Sequence, residues 1–382
     1  MLHKIDPPDC HEQMDWIIQL QRRLLTALCQ PTTTPQQVTF EWVVALLRDL
    51  RIDKRWIRRF CHDTDEISGL RKPMLEHMHV IAACDPALKT QLLAAFENDV
   101  CFTQQFTEQS AAGNRRLMGI ALLDDQLEDI RNAVRGFFES FYTPNFLTGI
   151  GYRMRKQDGS REHFHRTAFI NAYLQKNTRV KVCPACDGSL DNSDVDHFYP
   201  KSRFPFLACS LWNLVPLCQT CNRGRNGKRD KVPLTQDADD QTAEWFHPYL
   251  RPIHATYEFR PVRTAEGLHL ILHSDDVQQQ KRLDNYLWLF GMQERWREAL
   301  INRVNNAIAM VQDLLQEKGK LSQDELIEEL RRRTKTYWYD RGTRAFALID
   351  CAYFESVSNK DANTFEYLWF ACSVYPTAAE GT

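Results

Sequence analysis

The chain lacks an excess of charge of either sign. Its 48 Lys and Arg stand against 50 Asp and Glu, a net charge of −2. This excludes a globally basic nucleic-acid binder and leaves any such contact to a local patch. No run approaches the ~18–20 uninterrupted apolar residues that span a bilayer. The opening MLHKIDPPDC has no apolar core of a signal peptide. The expected location is cytoplasmic, with no membrane partner. Missing too are the phosphate loop of ATPases, the GxGxxG turn of dehydrogenases and the GxSxG elbow of serine hydrolases. There is no internal repeat and no low-complexity tract. What is present is bulk: 382 residues, 43% of them hydrophobic and 11% aromatic. At roughly 100–200 residues per domain this predicts two or three domains with sizeable cores.

Apolar spacing predicts helices over 13–29 and 40–50, the second capped by Thr39, and others over 86–100, 124–142 and 159–176. The helix over 124–142 should stop at Thr143–Pro144. Between 178 and 235 prolines, glycines and short strand-like runs (RVKVC, NLVPLC) replace the long amphipathic text. Residues 256–262 and 268–274 read as a β-hairpin around Gly267. Helical text resumes from 276 to 319 and again after Ser322, which forms a capping box with Glu325. The expected fold is mainly α with a small α+β module and a short β-hairpin. The expected domains are an N-terminal helical domain (1–125), a helical lead-in (126–177), a compact module (178–235), a hairpin connection (236–275) and a C-terminal helical domain (276–382).

Of twelve cysteines, seven sit in apolar-rich text and read as small buried hydrophobes, while Cys10 lies in a polar stretch. The other four, Cys183, Cys186, Cys218 and Cys221, form two Cys-x-x-Cys pairs. Two such knuckles complete a tetrahedral thiolate site for a structural Zn2+. Thirty-one residues separate the pairs, longer than a zinc ribbon's usual spacing, so the insert carries something further. It carries Asp194-Val195-Asp196-His197. A carboxylate is a hard oxygen ligand suited to Mg2+. An imidazole suits removal of a proton from water at neutral pH. Alone, an Asp-His pair is more often chance or a solvated turn; its place between zinc knuckles gives it weight. Asn213 and Asn222 follow, each readable as a plain loop residue, Asn222 also as a neutral oxygen ligand. Then comes RGRNGKRDK (223–231); over 181–232 eight Lys or Arg face five Asp, a local +3 in a protein of net −2. A phosphodiester substrate needs such a footprint; a solvated loop is the plainer reading.

The order Cys-x-x-Cys, Asp-His, Pro-Lys, Asn-Leu, Cys-x-x-Cys-Asn, Lys resembles the HNH endonuclease family in its zinc-stapled, treble-clef-like form with a ββα-metal core. The resemblance covers roughly residues 178–232. It implies that His197 is the general base, Asp196 and Asn222 ligands of a catalytic Mg2+ or Mn2+, and Asn213 the residue that holds the hairpin and positions the histidine. The four cysteines would bind the structural zinc. Lys201, Arg203, Arg223, Arg225 and Lys228 would clamp flanking phosphates. Asn222 stands where many members have a histidine. The implied activity is hydrolysis of phosphodiester bonds in DNA. By analogy with HNH cores inside larger bacterial chains, it would serve an antiviral defence or restriction-type system. Control would fall to a partner such as a sensor ATPase or a nucleoprotein complex. The alternative is a non-catalytic zinc module that binds nucleic acid or a protein.

Other clusters promise less. His163 and His165, like His77 and His79, are two apart, which on a helix puts them on different faces. RRRTKTYWYDRGTR (331–344) suits a nucleic-acid groove by charge and stacking, but its aromatics are more simply expected in the core. KRWIRRF (54–60) should likewise bury Trp56, Ile57 and Phe60 and leave its arginines outside.

Overall fold

The computed structural model describes residues 2–50, 52–62, 72–106, 116–143, 151–155, 160–191, 193–236, 238, 240–253, 257–265, 267–361 and 364–374. Over these the protein is mainly helical with three small two-stranded antiparallel sheets. The N-terminal half contains α1 (His11–Leu28), α2 (Phe40–Leu46), α3 (Lys54–His62), α4 (Met74–Ala83), α5 (Pro86–Val100) and α6 (Glu128–Tyr142). Then follow β1 (Tyr152–Arg155), β2 (Arg161–Phe164) and α7 (Arg166–Lys176). The middle holds β3 (Asp194–His197), β4 (Leu214–Leu217) and α8 (Gln219–Arg223). Last come the hairpin β5 (Glu258–Thr264) and β6 (Gly267–His273), then α9 (Val277–Phe290), α10 (Met292–Lys318), α11 (Gln323–Tyr339), α12 (Ala347–Ser358) and α13 (Phe365–Val374).

Local chemistry sets the ends. The Thr39 hydroxyl accepts from Trp42 N at the start of α2, and Asp85 accepts from Leu88 N with Pro86 at the first helical position of α5. Ser322 and Glu325 form the expected capping box on α11. Two expectations need correction. The helix expected over 159–176 begins only at Arg166, because Arg161–Phe164 pairs with Tyr152–Arg155 as a strand; Gly159 lies outside the described residues. The helix expected through 276–319 breaks at Gly291, whose left-handed φ of +58° ends α9 and starts α10. There a Cβ would collide with the Asn226 carbonyl oxygen, so glycine alone fits. The stop at Pro144 and the hairpin's Thr256 lie outside the described residues.

Two hydrophobic cores form. One is built from α1–α6 with Tyr152, Phe164 and Phe169. The other joins the cysteine cluster to the hairpin and α9–α13, and also takes in Leu2, Ile5, Phe102 and Tyr173. The middle module lies where they meet. Val195, Phe206, Leu211 and Leu214 enter the first core, while Phe198, Tyr199, Val215 and Leu217 enter the second. Strand alternation explains the split: neighbours 214 and 215 point to opposite faces of the pair. Trp56, Ile57 and Phe60 are buried as expected. Of the aromatics of 331–344, Tyr337 packs against the second core beside Phe354, whereas Trp338 is 52% and Tyr339 84% exposed.

Asp99 ties α5 to the segment before α6. Its buried carboxylate accepts from Met118 N (2.8 Å), Gly119 N (2.7 Å) and Asn98 Nδ2 (3.1 Å). Burial outweighs these donors and raises the carboxyl from 3.8 to about 6. The folded chain thus holds this proton more tightly than the unfolded chain. The resulting stabilisation is complete below 3.8 and is lost as pH rises through about 6. Calorimetry is expected to show Asp99 lowering stability by up to about 3 kcal/mol between pH 4 and 7. Asp99→Asn should flatten that part of the profile.

Candidate functional site

Two observations define the site: a cluster of sulfurs and a cleft beside it. The four cysteines 183, 186, 218 and 221 are buried, and their Sγ atoms all lie within 4.8 Å of one another. Cys183 and Cys221 are 3.8 Å apart, Cys186 and Cys218 3.7 Å. Tetrahedral ligands at about 2.3 Å from one ion would stand about 3.8 Å apart. The donor set therefore fits a structural zinc, and no cysteine of the chain is in a disulfide. Backbone amides of Cys218 and Cys221 point at Cys183 Sγ (3.5 Å) and Cys218 Sγ (3.4 Å), which suits thiolate charge. Arg295 of α10 adds a cation: its guanidinium is 3.1 Å from both Cys221 Sγ and Cys186 Sγ. Nothing in the local sequence marked Arg295, which lies 109 residues from Cys186.

The knuckle that carries Cys218 and Cys221 starts α8, and the strand pair β3–β4 leads into it. The register sets Asp196 opposite Val215 and His197 opposite Leu214. Between the strands runs a loop closed by Asn213. Its side chain accepts from Tyr199 N (2.7 Å) and donates to Tyr199 O (3.1 Å) and Leu207 O (3.0 Å). Asn213 is fully buried beneath the cleft and does not line it. Asn213→Ala should lower stability by roughly 2–3 kcal/mol, because it strands buried backbone groups; a urea melt measures it.

The cleft has a volume of about 850 Å³ and is lined by Asp194, Asp196, His197, Asn222, Lys201 and Lys228, among others. The fold thus brings Asp196, His197 and Asn222 to one wall. His197 Nε2 lies 3.0 Å from the Ala208 carbonyl. A carbonyl only accepts, so Nε2 carries the hydrogen and Nδ1 is the basic nitrogen. Burial, with Lys201 and Lys228 near, pushes this imidazole down to about 3, so the ring is neutral at pH 7. Tyr142 of α6 packs its ring edge-on against His197, centroids 4.2 Å apart, and donates to Val195 O.

Asp196 is buried, and burial raises its carboxyl to about 6 against the pull of Lys228. The Lys228 ammonium donates to Oδ1 at 3.3 Å and lies 3.2 Å from Oδ2, without hydrogen-bond geometry to the latter. Lys228 is itself fully buried. It sits inside the site as a counter-charge and not on its rim as a phosphate clamp. Asn222 donates to Asp194 Oδ2 at 3.1 Å, and among the described residues its amide oxygen has no partner. Arg223 forks onto the same Asp194 carboxylate at 2.7 and 2.9 Å. Lys201 is paired with Glu139 at 3.0 Å. Arg225 is exposed and off the cleft, and Arg203 lines a neighbouring one. Most of the basic run is thus internally satisfied: Lys231 donates to the carbonyls of Trp288 (2.8 Å) and Leu289 (3.2 Å), capping α9. Sequence reasoning missed Glu139 and Tyr142. Their spacing on the predicted helix 124–142 was the available signal.

The histidine pairs form no metal cluster among the described residues; His163 is on β2 and His165 caps α7, with rings 4.9 Å apart. No helix of the described residues is long and apolar enough to cross a membrane. No protein-family model matches the chain, and no solved structure matches it. Protein ea31 of Escherichia phage lambda is 32% identical over 68 residues, which is 18% of this chain. The match takes in 21% of that protein, so the chain spans about a fifth of the curated relative it resembles.

Proposed function

We propose that the protein is a metal-dependent endonuclease of the HNH type, with a treble-clef-like ββα-metal core, that hydrolyses phosphodiester bonds in DNA. The observation that carries the reading is the meeting of Asp196, His197 and Asn222 on one cleft, next to the four-cysteine cluster. The free Asn222 oxygen and the unbonded Oδ2 of Asp196 fit a divalent cation. Mg2+ or Mn2+ held there would stabilise charge on the phosphoryl and leaving oxygens. His197, with Nε2 fixed by Ala208, takes the proton of the attacking water at Nδ1. Water's oxygen bonds to phosphorus as the bond to the leaving oxygen breaks. Tyr142 and the Ala208 carbonyl keep the ring from turning. Lys228 is the group that the cation must share Asp196 with or displace. The helical flanks would choose the substrate or dock a controlling partner, such as a sensor ATPase or nucleoprotein complex, in a defence or restriction system.

One observation favours the other reading, a non-catalytic zinc module for nucleic acid or a protein partner: Lys228 already neutralises Asp196 with no metal. Plasmid cleavage with Mg2+ or Mn2+ decides. Nicking or linearisation by the wild type and not by His197→Ala supports the nuclease. Specific DNA or protein binding without cleavage, in the presence of the candidate partner, supports the module.

A further inference from the structure

A second cleft of about 290 Å³ adjoins the first, with Ser202 in the walls of both. It is lined by Arg131 and Arg135 of α6, Arg203 of the loop after β3, and Asp124 and Glu128, among others. Among the described residues none of these three guanidinium groups has a hydrogen-bond or ion-pair partner. Of the cations of the first cleft, Lys201 is engaged on Glu139, Arg223 on Asp194 and Lys228 on Asp196, while Arg166 and Arg229 donate to the backbone carbonyls of Ser193 and Gly224. Among the described residues, the guanidinium groups with no partner at all therefore line the cleft next to that of His197.

The geometry joins the two. Residues 131, 135, 139 and 142 recur at helical spacing and share one face of α6. Tyr142 touches His197, Glu139 holds Lys201, and the arginines continue the same stripe. With a rise of about 1.5 Å per residue, Arg135 and Arg131 lie roughly 10 and 16 Å along the helix from Tyr142. A nucleic-acid strand advances about 3.4 Å per phosphate along its axis, so this span covers roughly three to five nucleotides. The third arginine is pinned. The Arg203 carbonyl accepts from Ile120 N at 2.8 Å, and a Cβ on Gly119 (φ +53°) would collide with that carbonyl and with Phe204.

Resting on the nuclease reading above, we propose that Arg131, Arg135 and Arg203 form a subsite for the phosphodiester backbone of the DNA strand three to five nucleotides from the bond that is cut. Arg203 belonged to the sequence-derived set; Arg131 and Arg135 did not, since a helical surface arginine has no distinguishing signal until its partners are counted.

The test measures binding of a fluorescent 30-bp DNA duplex, with Mg2+, by the full chain carrying His197→Ala. The same chain with Arg131→Gln, Arg135→Gln and Arg203→Gln should bind roughly ten-fold or more weakly at 100 mM salt. Its plot of log affinity against log salt should be shallower by about 2–3, one unit per lost phosphate contact. A triple Arg→Lys variant should keep the slope, which separates lost charge from lost fold. Equal affinity and slope in the triple Gln variant overturns the subsite, as does no duplex binding by the starting chain, or binding of the matching RNA duplex alone. Plasmid cleavage is scored separately with His197 intact. Cleavage that the three Gln changes leave untouched removes the subsite and keeps the nuclease. Absent cleavage with binding that the three changes abolish keeps the backbone contact and removes the nuclease.

Discussion

His197→Ala is expected to lower DNA cleavage by ~10²–10⁴-fold, the span that a positioned general base contributes, while zinc content and far-ultraviolet circular dichroism stay at wild-type values. The size follows from how completely the ring is committed. It is buried, neutral at pH 7, held through Nε2 by Ala208, and braced by Tyr142. Such a nitrogen loses little entropy of orientation as the water arrives. Alanine removes the base and leaves Asp196, Asn222 and the cysteine cluster in place, because none of these bonds to His197. Gel analysis of supercoiled, nicked and linear plasmid over a time course measures the ratio. Wild-type rates in His197→Ala would end the general-base assignment.

Much of the fold was legible where one period ran long enough. The α1 and α5 text repeats apolar residues over four or more turns, and the β5–β6 hairpin alternates on both sides of a turn. The β1–β2 pair escaped because four residues such as Arg161–Phe164 satisfy a helical and a strand pattern alike. The break at Gly291 escaped because apolar spacing continues on both sides; what excludes a side chain there is Asn226, 65 positions earlier in the chain. At the site, the order of the motif placed Asp196, His197 and Asn222 in one cleft. The charges of 223–231 were equally visible, but their partners were not. Arg223 meets Asp194 across 29 positions and Lys228 meets Asp196 across 32, so only the fold shows that both are spent internally.

Cys218→Ser is expected to empty the zinc site and unfold the module around it. A structural zinc contributes about 10–16 kcal/mol of apparent binding free energy in small domains, and that energy is folding energy. Here the four sulfurs are members of the larger hydrophobic core, beside Tyr286 and Trp296. Cys218 does two things at once: it is a candidate ligand, and its sulfur accepts from Cys221 N at the start of α8. Serine offers a harder oxygen on a shorter bond, which suits neither the ion nor the spacing of 3.7 Å to Cys186. With the ion gone, Arg295 loses the thiolate charge that justifies a cation against this core. Metal analysis should therefore fall from one zinc per chain to none, and the thermal transition should broaden as the second core loosens while α1–α6 persist. Cys209→Ser is the control: Cys209 is equally buried, in the other core and outside the cluster. It should keep its zinc and lose only about 1–3 kcal/mol, the cost of burying a hydroxyl. A full zinc in Cys218→Ser would end its assignment as a ligand, and no zinc in the wild type would mean that the sulfurs gather for packing alone, leaving the Cys183–Cys186 knuckle joined to α8 without an ion.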